Sequence, residues 1–181
     1  MLTYDALDDF AGPGGWDEGA RMVGLRTVGI EWDTAACRTA KAAGHDRIRA
    51  DVAAYPSEPF AGIPGYIASP PCQAWSMAGK RGGELDRANC HILADRMAAG
   101  DDSTDWTAWE DPRSPLVCQP VRRVRELRPE WVALEEVPAV HGCESSGAEV
   151  VAGGFGAHVG GAGVPGGGEC VEGGGHGWSC V

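Results

Sequence analysis

Short apolar runs alternate with longer amphipathic stretches along the first 140 residues. We interpret five apolar runs as strands: one ends at Leu7, one covers residues 27–31, one ends near Asp51, and two cover residues 66–68 and 131–134. Amphipathic stretches with helical spacing lie at residues 16–25, 34–43 and 114–127. Asp33 is the expected N-cap of the second helix. Strands that alternate with helices predict an α/β fold, a parallel sheet with helices on both faces.

Two segments break this alternation. Residues 78–112 are polar and contain Gly82-Gly83 and Asp101-Asp102, which predicts a long mobile loop. The composition changes again near His141, because 15 of the 28 glycines lie in the last 40 residues, which contain no arginine, lysine or leucine. Such a segment buries too little apolar surface to offset its ordering entropy. We expect a folded domain at residues 1–141 and a Gly-rich, disordered tail at residues 142–181.

The tail also has a codon signature. Gly, Ala, Val and Glu fill 29 of its 40 positions, and all four are encoded by codons that begin with guanine. This bias favours an out-of-frame translation of a GC-rich gene, and the alternative is a natural Gly-rich tail. Resequencing the locus distinguishes the two, because a frameshift predicts that the intact frame continues a structured domain.

Composition and charge exclude several classes of protein. The seven cysteines form no Cys-x-x-Cys pair and no charged, apolar leader opens the chain, so we expect a reducing cytoplasm and no metal site. No apolar run approaches the roughly 20 residues that span a bilayer, so no membrane partner is expected. A net charge of −11 argues against binding of nucleic acid by a broad basic face.

A glycine turn at residues 10–15 follows the first predicted strand. Gly12, Gly14 and Gly15 permit a tight turn and close approach of the backbone to a ligand. Glu31 ends the second strand about 20 residues further on, where an acid commonly binds a ribose hydroxyl pair. The alternative is an ordinary connection between a strand and a helix. Together, the turn and Glu31 predict a nucleoside cofactor.

Acidic residues around the turn narrow the choice of nucleoside. Four of them flank it, namely Asp8, Asp9, Asp17 and Glu18. This setting would repel a pyrophosphate and would suit the ammonium and sulfonium groups of S-adenosylmethionine. Asp51 could accept a hydrogen bond from the adenine amino group, and Trp32 could stack on the adenine ring.

Cys72 follows the fourth predicted strand within Ser69-Pro70-Pro71-Cys72-Gln73. Proline fixes φ and disfavours helix in the residue before it, so the cysteine should project from an extended turn. A single cysteine is more often a small buried apolar group, and that alternative stays open from the residue type alone. A thiol at the carboxyl end of a strand is placed for nucleophilic chemistry.

Residues 4–140 resemble the catalytic domain of bacterial and phage DNA (cytosine-5) methyltransferases. The resemblance rests on the glycine turn with Asp8 and Asp9, on 29–32 and 51–52, on the Ser-Pro-Pro-Cys-Gln motif, and on Glu135-Glu136-Val137-Pro138. It implies a Rossmann-like, S-adenosylmethionine-dependent methyltransferase sheet. The cofactor-binding residues that it implies are Asp8, Phe10, Ala11, Gly12, Gly14, Gly15, Glu31, Trp32, Asp51, Val52 and Pro70.

The resemblance also implies a mechanism. The Cys72 thiolate adds to C6 of a cytosine flipped out of the duplex, and Glu135 donates a hydrogen bond or proton to N3. Glu136 stands where the family's Glu-Asn-Val motif has asparagine. Substrate contacts are expected from Gln73, Ser76 and Arg81, with Lys80 beside them; the alternative for these residues is an exposed loop.

Other parts of the family pattern do not appear after His141, including an arginine-bearing motif and a target-recognition domain. We therefore expect weak binding of double-stranded DNA and weak or absent methylation, in the cytoplasm of a bacterium or from a phage, with a linked restriction nuclease as a further partner. The main alternative is a non-catalytic remnant that binds a cofactor or a partner. Cys72 speaks against a DNA amino-methyltransferase, and the acidic glycine turn against a nicotinamide-dependent oxidoreductase.

Overall fold

A computed structural model describes residues 4–76, 82–137, 140, 170–173 and 177–180. Its central feature is a set of five parallel strands in the order β3-β2-β1-β4-β5. The strands are β1 (Ala6–Asp9), β2 (Thr27–Glu31), β3 (Asp46–Arg49), β4 (Gly65–Ala68) and β5 (Trp131–Glu136). The predicted α/β class is therefore confirmed, as is a Rossmann-like arrangement of strands and helices.

Four α-helices accompany the strands: α1 (Gly15–Met22), α2 (Thr34–Ala42), α3 (Gly82–Ala99) and α4 (Gln119–Leu127). Short 3-10 segments lie at Glu58–Phe60, Cys72–Ala74 and Ser114–Cys118. The predicted cap of α2 is confirmed, because the Asp33 side chain accepts a 2.7 Å hydrogen bond from the Ala36 amide. None of the helices in the described residues is both long and apolar enough to cross a membrane.

The chain divides into two compact units. Unit 1 comprises Met1–Pro70 and Glu126–Leu134. Its strands β1, β2 and β4 are buried at every position, as expected for the centre of a parallel sheet. Fully buried side chains at its core include Leu7, Ile30, Ile63 and Tyr66.

Unit 2 comprises Pro71–Arg125 and Glu135–Val181. Its apolar cluster contains Trp75, Cys90, Leu93, Met97 and Cys118. Three of these residues lie on α3, at the helical spacing of three and four residues.

The mobile loop predicted at residues 78–112 is wrong for its larger part, since Gly82–Ala99 forms the 18-residue helix α3. The buried face of α3 includes Gly83 and Asp86 beside apolar residues, so its hydrophobic pattern is weak in sequence. Residues 77–81 lie outside the described residues.

Two strands are described in the Gly-rich tail. β6 (Cys170–Gly173) pairs antiparallel with β7 (Gly177–Cys180), a regular element that the composition of the tail does not predict. The other tail residues lie outside the described part of the chain. The domain boundary near residue 141 and the out-of-frame origin of the tail stay predictions.

Candidate functional site

The glycine turn connects β1 to α1 through residues with left-handed backbone. Phe10 has φ 60°, Gly12 has φ 53° and Gly14 has φ 113°. Glycine adopts this conformation without a steric penalty, whereas at Phe10 it is uncommon and indicates local strain. The Ala11 amide donates to the Ile30 carbonyl at 3.1 Å. The turn is thereby attached to β2.

Glu31 ends β2 with both carboxylate oxygens engaged by backbone amides. Oε2 accepts from the Gly12 amide at 2.9 Å, and Oε1 accepts from the Asp33 amide at 2.7 Å. Each carboxylate oxygen has a second lone pair, so these bonds leave acceptor capacity for a ligand hydroxyl. Glu31 therefore connects the glycine turn to the start of α2.

The cradle around the turn fits a nucleoside. A Cβ built at Gly12 or Gly15 would meet no atom within 4 Å, so open space lies beside both residues. At Gly14 a Cβ would come within 2.6 Å of His45 Cδ2, which makes this glycine a packing requirement. Trp32 follows Glu31 directly in the chain, and its exposed ring offers a face for stacking.

All eleven predicted cofactor-binding residues belong to unit 1. Five are at least partly accessible: Phe10, Gly12, Gly15, Trp32 and Asp51. Six are buried: Asp8, Ala11, Gly14, Glu31, Val52 and Pro70. Asp51 Oδ1 accepts a 2.9 Å hydrogen bond from the Ala53 amide.

The expected repulsive ring of acids around the turn is wrong for two of its members. Asp17 is buried and pairs with Arg47 at 2.6 Å, whereas Glu18 is exposed and pairs with Arg21. Each of these charges is balanced by its own arginine. Asp17 and Glu18 therefore do not support the electrostatic argument for a cationic ligand.

Asp8 and Asp9 are fully buried at the end of β1. Neither carboxylate oxygen of Asp8 has a hydrogen-bond partner among the described residues, and burial raises the pKa of this carboxyl well above its usual range. The Asp9 carboxylate accepts a 3.0 Å hydrogen bond from the Tyr66 hydroxyl. Burial thus favours the uncharged form of the Asp8 carboxyl.

Trp16 is a functional contact that sequence reasoning missed. Its indole Nε1 donates to Ser69 Oγ at 2.8 Å, and the Ser69 amide donates to the Asp9 carbonyl at 3.3 Å. The first residue of the Ser-Pro-Pro-Cys motif is thereby attached to α1 and β1 within unit 1. An aromatic residue directly after a glycine turn was the available signal.

Cys72 opens a short 3-10 turn in unit 2. Its carbonyl accepts 2.9 Å hydrogen bonds from the amides of Trp75 and Ser76. The Cys72 side chain is half-buried, whereas Ala74 and Trp75 are buried in the apolar cluster of the unit. The thiol therefore lies on a turn that follows the strand, as predicted. Ala74 and Trp75, which pack in the apolar cluster, hold this turn in place.

Trp75 anchors this turn through contacts with α3. A Cβ at Gly83 would come within 2.8 Å of Trp75 Cδ2, so the ring packs directly on the helix backbone. The Arg87 guanidinium lies 5.1 Å from the Trp75 ring centroid, in cation–π geometry. Gly83 is thus needed for the close approach of the ring.

Charged groups near Cys72 shift the pKa of its thiol. Burial raises the pKa first, the charges of Glu136 and Glu135 raise it further, and Arg113 lowers it. The charge of Glu135 therefore acts on the thiol of Cys72, its predicted catalytic partner, within unit 2. The thiol is protonated at neutral pH in the free protein.

Glu135 and Glu136 are the last residues of β5 rather than residues that follow it. Alternation along the strand leaves Glu135 exposed and buries Glu136, which is only 8% exposed. Glu136 Oε2 accepts from the Val137 amide at 3.0 Å, and Oε1 has no partner among residues that the structure describes. Burial raises the pKa of Glu136 to about 8.

Asp86 was missed because its segment was interpreted as a mobile loop, and Arg113 was missed because it lies between that segment and the next predicted helix. The buried Asp86 carboxylate accepts from the amides of Glu110 and Asp111 at 2.9 and 3.0 Å, and from Ser114 Oγ at 2.6 Å. Asp111 in turn pairs with Arg113 at 2.6 Å. One buried carboxylate on α3 thereby fixes the segment that carries Arg113.

The structure describes only some of the predicted substrate-binding residues. Gln73 is exposed and Ser76 half-buried, both beside Cys72 in the chain, while Lys80 and Arg81 lie outside the described residues. Within the ranges that the structure describes, no group of three or more His, Cys, Asp or Glu is placed to hold a metal ion. The roles of all these residues toward DNA stay predictions.

A model of C-5 cytosine-specific DNA methylases matches residues 4–97. No curated protein matches the chain. The fold is similar to that of S. pombe Dnmt2 methyltransferase, with 14% identity and a TM-score of 0.52 over 78% of this chain and 38% of that one.

A second solved structure, a Spodoptera frugiperda DNMT2 mutant, is 15% identical with a TM-score of 0.56 over 87% of this chain and 40% of that one. At these identities the likeness concerns the fold, and the chain spans about 40% of the length of these proteins. S-adenosylmethionine is the cofactor that the family and the fold imply. Because the family model covers more than half of its residues, the chain belongs to the C-5 cytosine-specific DNA methylase family.

Proposed function

We propose that this chain transfers a methyl group from S-adenosylmethionine to C5 of cytosine in double-stranded DNA, through a covalent adduct of Cys72. The observation that carries the proposal is the half-buried Cys72 thiol, which opens a turn at the Ser-Pro-Pro-Cys-Gln motif within the residues that the family model matches. A thiol on an accessible turn can reach a substrate, whereas a buried thiol of the same unit such as Cys90 cannot.

The cofactor is held by unit 1. When bound, S-adenosylmethionine supplies a methyl group activated on a sulfonium. Glu31 accepts hydrogen bonds from the ribose hydroxyls, the exposed Trp32 stacks on the adenine, and the open sides of Gly12 and Gly15 allow the backbone to approach the ligand. Asp51 accepts from the adenine amino group with the oxygen that does not bind Ala53.

Cys72 and Glu135 act on the cytosine. The Cys72 sulfur adds to C6, and the exposed Glu135 carboxyl donates its hydrogen to N3 as negative charge develops on the ring. C5 then takes the methyl group from the sulfonium, with a neutral thioether as the leaving group. Loss of the C5 proton expels the Cys72 thiolate, and the hydrogen at N3 returns to Glu135. The base must be flipped out of the duplex for this chemistry.

Arg113 supports ionisation of the nucleophile. It is the cation whose charge lowers the pKa of the Cys72 thiol, against the effects of burial and of the two glutamates. Arg113 is therefore part of the proposed machinery, held in place by Asp111.

We infer that turnover by this chain is weak. The sequence after residue 141 contains no arginine, and the net charge of −11 provides little attraction for phosphate groups. Gln73, Ser76 and Arg81 are left as the proposed contacts to the flipped nucleotide and its phosphates. A linked restriction nuclease stays a prediction and does not enter the proposal.

A methyl-transfer assay tests this function. Duplex DNA is incubated with S-adenosylmethionine carrying a tritiated methyl group, at protein in excess over DNA, and incorporation into 5-methylcytosine is measured. We expect slow incorporation by the native chain and none by Cys72→Ser. Cys90→Ala, which removes a buried thiol of the same unit, should retain it. Equal incorporation by Cys72→Ser and the native chain would overturn the role of Cys72.

A second candidate is a cofactor-binding remnant without catalysis. The raised pKa of Cys72 favours it, because a protonated thiol is a poor nucleophile. Calorimetry with S-adenosylmethionine combined with the transfer assay separates the two functions. Binding without any transfer, at protein in excess, indicates the remnant, whereas binding with Cys72-dependent transfer indicates the enzyme.

A further inference from the structure

Arg47 is a buried cation that reaches the glycine turn across the sheet of unit 1. It lies on β3, in register with Gly29 of β2, which in turn is in register with Asp8 of β1. A Cβ at Gly29 would collide with the Arg47 guanidinium and would come within 2.6 Å of Ala11 Cβ. The absence of a side chain at Gly29 thus opens the path that Arg47 occupies.

The guanidinium contacts the turn at two carbonyl groups. Arg47 Nη2 donates to the carbonyl oxygens of Ala11 at 3.1 Å and Gly12 at 3.2 Å. Buried carbonyls need a donor, and the side chain of Arg47 has no solvent exposure. No residue of the turn itself provides these bonds.

Asp17 holds the guanidinium in this position from the first turn of α1. Its Oδ2 accepts from Arg47 Nη2 at 2.6 Å and its Oδ1 from Nη1 at 3.3 Å, in a two-point pair. Oδ1 also accepts from the Thr27 hydroxyl at 2.5 Å. Both charged groups are buried, so water does not compete for the hydrogen bonds between them.

One peptide group of the turn is held on both sides. The Ala11 carbonyl and the Gly12 amide belong to the same trans peptide and point in opposite directions. The carbonyl accepts from Arg47, while the amide donates to Glu31 Oε2 at 2.9 Å. Arg47 and Glu31 therefore fix the rotation of this peptide between them.

We propose that Arg47 is a positioning residue that sets the orientation of the Ala11–Gly12 peptide, and through it the placement of Glu31 toward the cofactor. The proposal rests on the proposed binding of S-adenosylmethionine by unit 1. Loss of the carbonyl contacts lets the peptide rotate, which breaks the bond from Gly12 to Glu31 and misplaces the acid that receives the ribose.

Two variants test the proposal without removing the buried charge. Arg47→Lys keeps a cation beside Asp17, but a single Nζ cannot occupy both Nη positions of the fork. Gly29→Ala leaves every hydrogen-bonding side chain intact and displaces the guanidinium through its Cβ. Arg49→Lys, at an exposed position of the same strand, is the matched control.

The first readout is the Kd of S-adenosylmethionine, measured by calorimetry on the full chain. We expect Arg47→Lys and Gly29→Ala each to raise Kd by about tenfold or more, the effect of losing roughly one to two hydrogen bonds, and Arg49→Lys to change it less than about twofold. Urea unfolding of each variant establishes that the protein is folded under the conditions used. Folded variants with an unchanged Kd would overturn the proposal.

The second readout needs no cofactor. Hydrogen exchange of the Gly12 amide in the free protein reports its bond to Glu31, and we expect exchange in Arg47→Lys to be faster by about tenfold at unchanged global stability. Should the native chain fail to bind S-adenosylmethionine, the proposed cofactor function is wrong, and Gly12 exchange alone decides. Faster exchange then supports the positioning role, and unchanged exchange refutes it.

Discussion

Each unit fixes one of its loops with a buried carboxylate, but the two carboxylates reach the backbone differently. In unit 1, Asp17 binds Arg47, and the guanidinium contacts the carbonyl oxygens of the glycine turn. In unit 2, Asp86 accepts directly from the amides of Glu110 and Asp111. The first loop is held through a cation and the second without one.

The difference follows from which side of the peptide faces inward. A carboxylate can accept from amides directly, whereas inward-pointing carbonyls need a donor and therefore a cation between them and the acid. An amide-facing loop thus requires one buried residue, and a carbonyl-facing loop requires two from distant parts of the chain. The cost of removing one member should differ accordingly.

Removal of the cation in unit 1 should have the largest effect. Arg47→Met leaves Asp17 buried without its ion-pair partner, and breaking a buried pair typically costs about 3–5 kcal/mol of unfolding free energy. Urea unfolding at neutral pH measures this cost. Arg49→Met on the same strand is the control. A loss below about 1 kcal/mol would contradict the comparison, since this is the range of an exposed pair.

Unit 2 also contains the buried acid Glu136, whose Oε1 has no hydrogen-bond partner among the described residues. Its titration should have the second largest effect on the unfolding free energy. The pKa of Glu136 is raised from 4.5 in the unfolded chain to about 8, so the folded state binds the extra proton across this range. Stability contributed by the neutral form is complete below pH 4.5 and is lost as pH rises toward 8. The slope is about 1.4 kcal/mol per pH unit for one proton.

Glu136→Gln removes this titration and should flatten the dependence of unfolding free energy on pH between 4.5 and 8. Glu135→Gln is the control, because Glu135 is exposed at the neighbouring position. Parallel pH profiles for the native chain and Glu136→Gln would contradict the buried acid. The same variant should lower the pKa of the Cys72 thiol, which its rate of alkylation by iodoacetamide reports.

Removal of the direct carboxylate in unit 2 should cost less. Asp86→Ala leaves the amides of Glu110 and Asp111 without acceptors, at about 1–3 kcal/mol of unfolding free energy. Asn89→Ala, on the exposed side of the same helix, controls for changes in α3 itself. An effect as large as that of Arg47→Met would show that the cation adds nothing distinctive in unit 1.

An exposed carboxylate with the same kind of partner sets the lower limit. Asp33 accepts from the Ala36 amide at the N-terminus of α2, in contact with water. Asp33→Ala should cost about 1 kcal/mol, the usual value of an N-cap, with Thr34→Ala as a neighbouring control. A cost equal to that of Asp86→Ala would mean that burial does not strengthen the contact.

Local signals in the sequence predicted the fold of unit 1 well. The apolar runs, the glycine turn and the Asp33 cap act over a few residues, and each lies where it was predicted. Arg47 was not predictable, because its role depends on the register that sets Gly29 between Asp8 and the arginine. Arg47 and Arg49 lie on the same short edge strand, and nothing local in the sequence shows which of the two is buried.

Unit 2 was predicted less well, for a different reason. The helix α3 begins at Gly82-Gly83 and buries Asp86, and these residues conceal its amphipathic pattern. Gly83, which suggested a loop, is required for the contact with Trp75. Asp86, which suggested solvent exposure, accepts hydrogen bonds from backbone amides. The turn at Cys72 could be predicted because Pro70 and Pro71 restrict the backbone directly before it.

The most direct test of the account is covalent trapping on duplex DNA in which 5-fluorocytosine replaces the target base. The fluorine at C5 cannot leave as a proton does, so a cysteine adduct at C6 persists after methyl transfer. With S-adenosylmethionine present, we predict a denaturation-resistant complex for the native chain, attached to DNA through Cys72, and none for Cys72→Ser. A complex that forms equally with Cys72→Ser, or no complex with the native chain, would contradict the account.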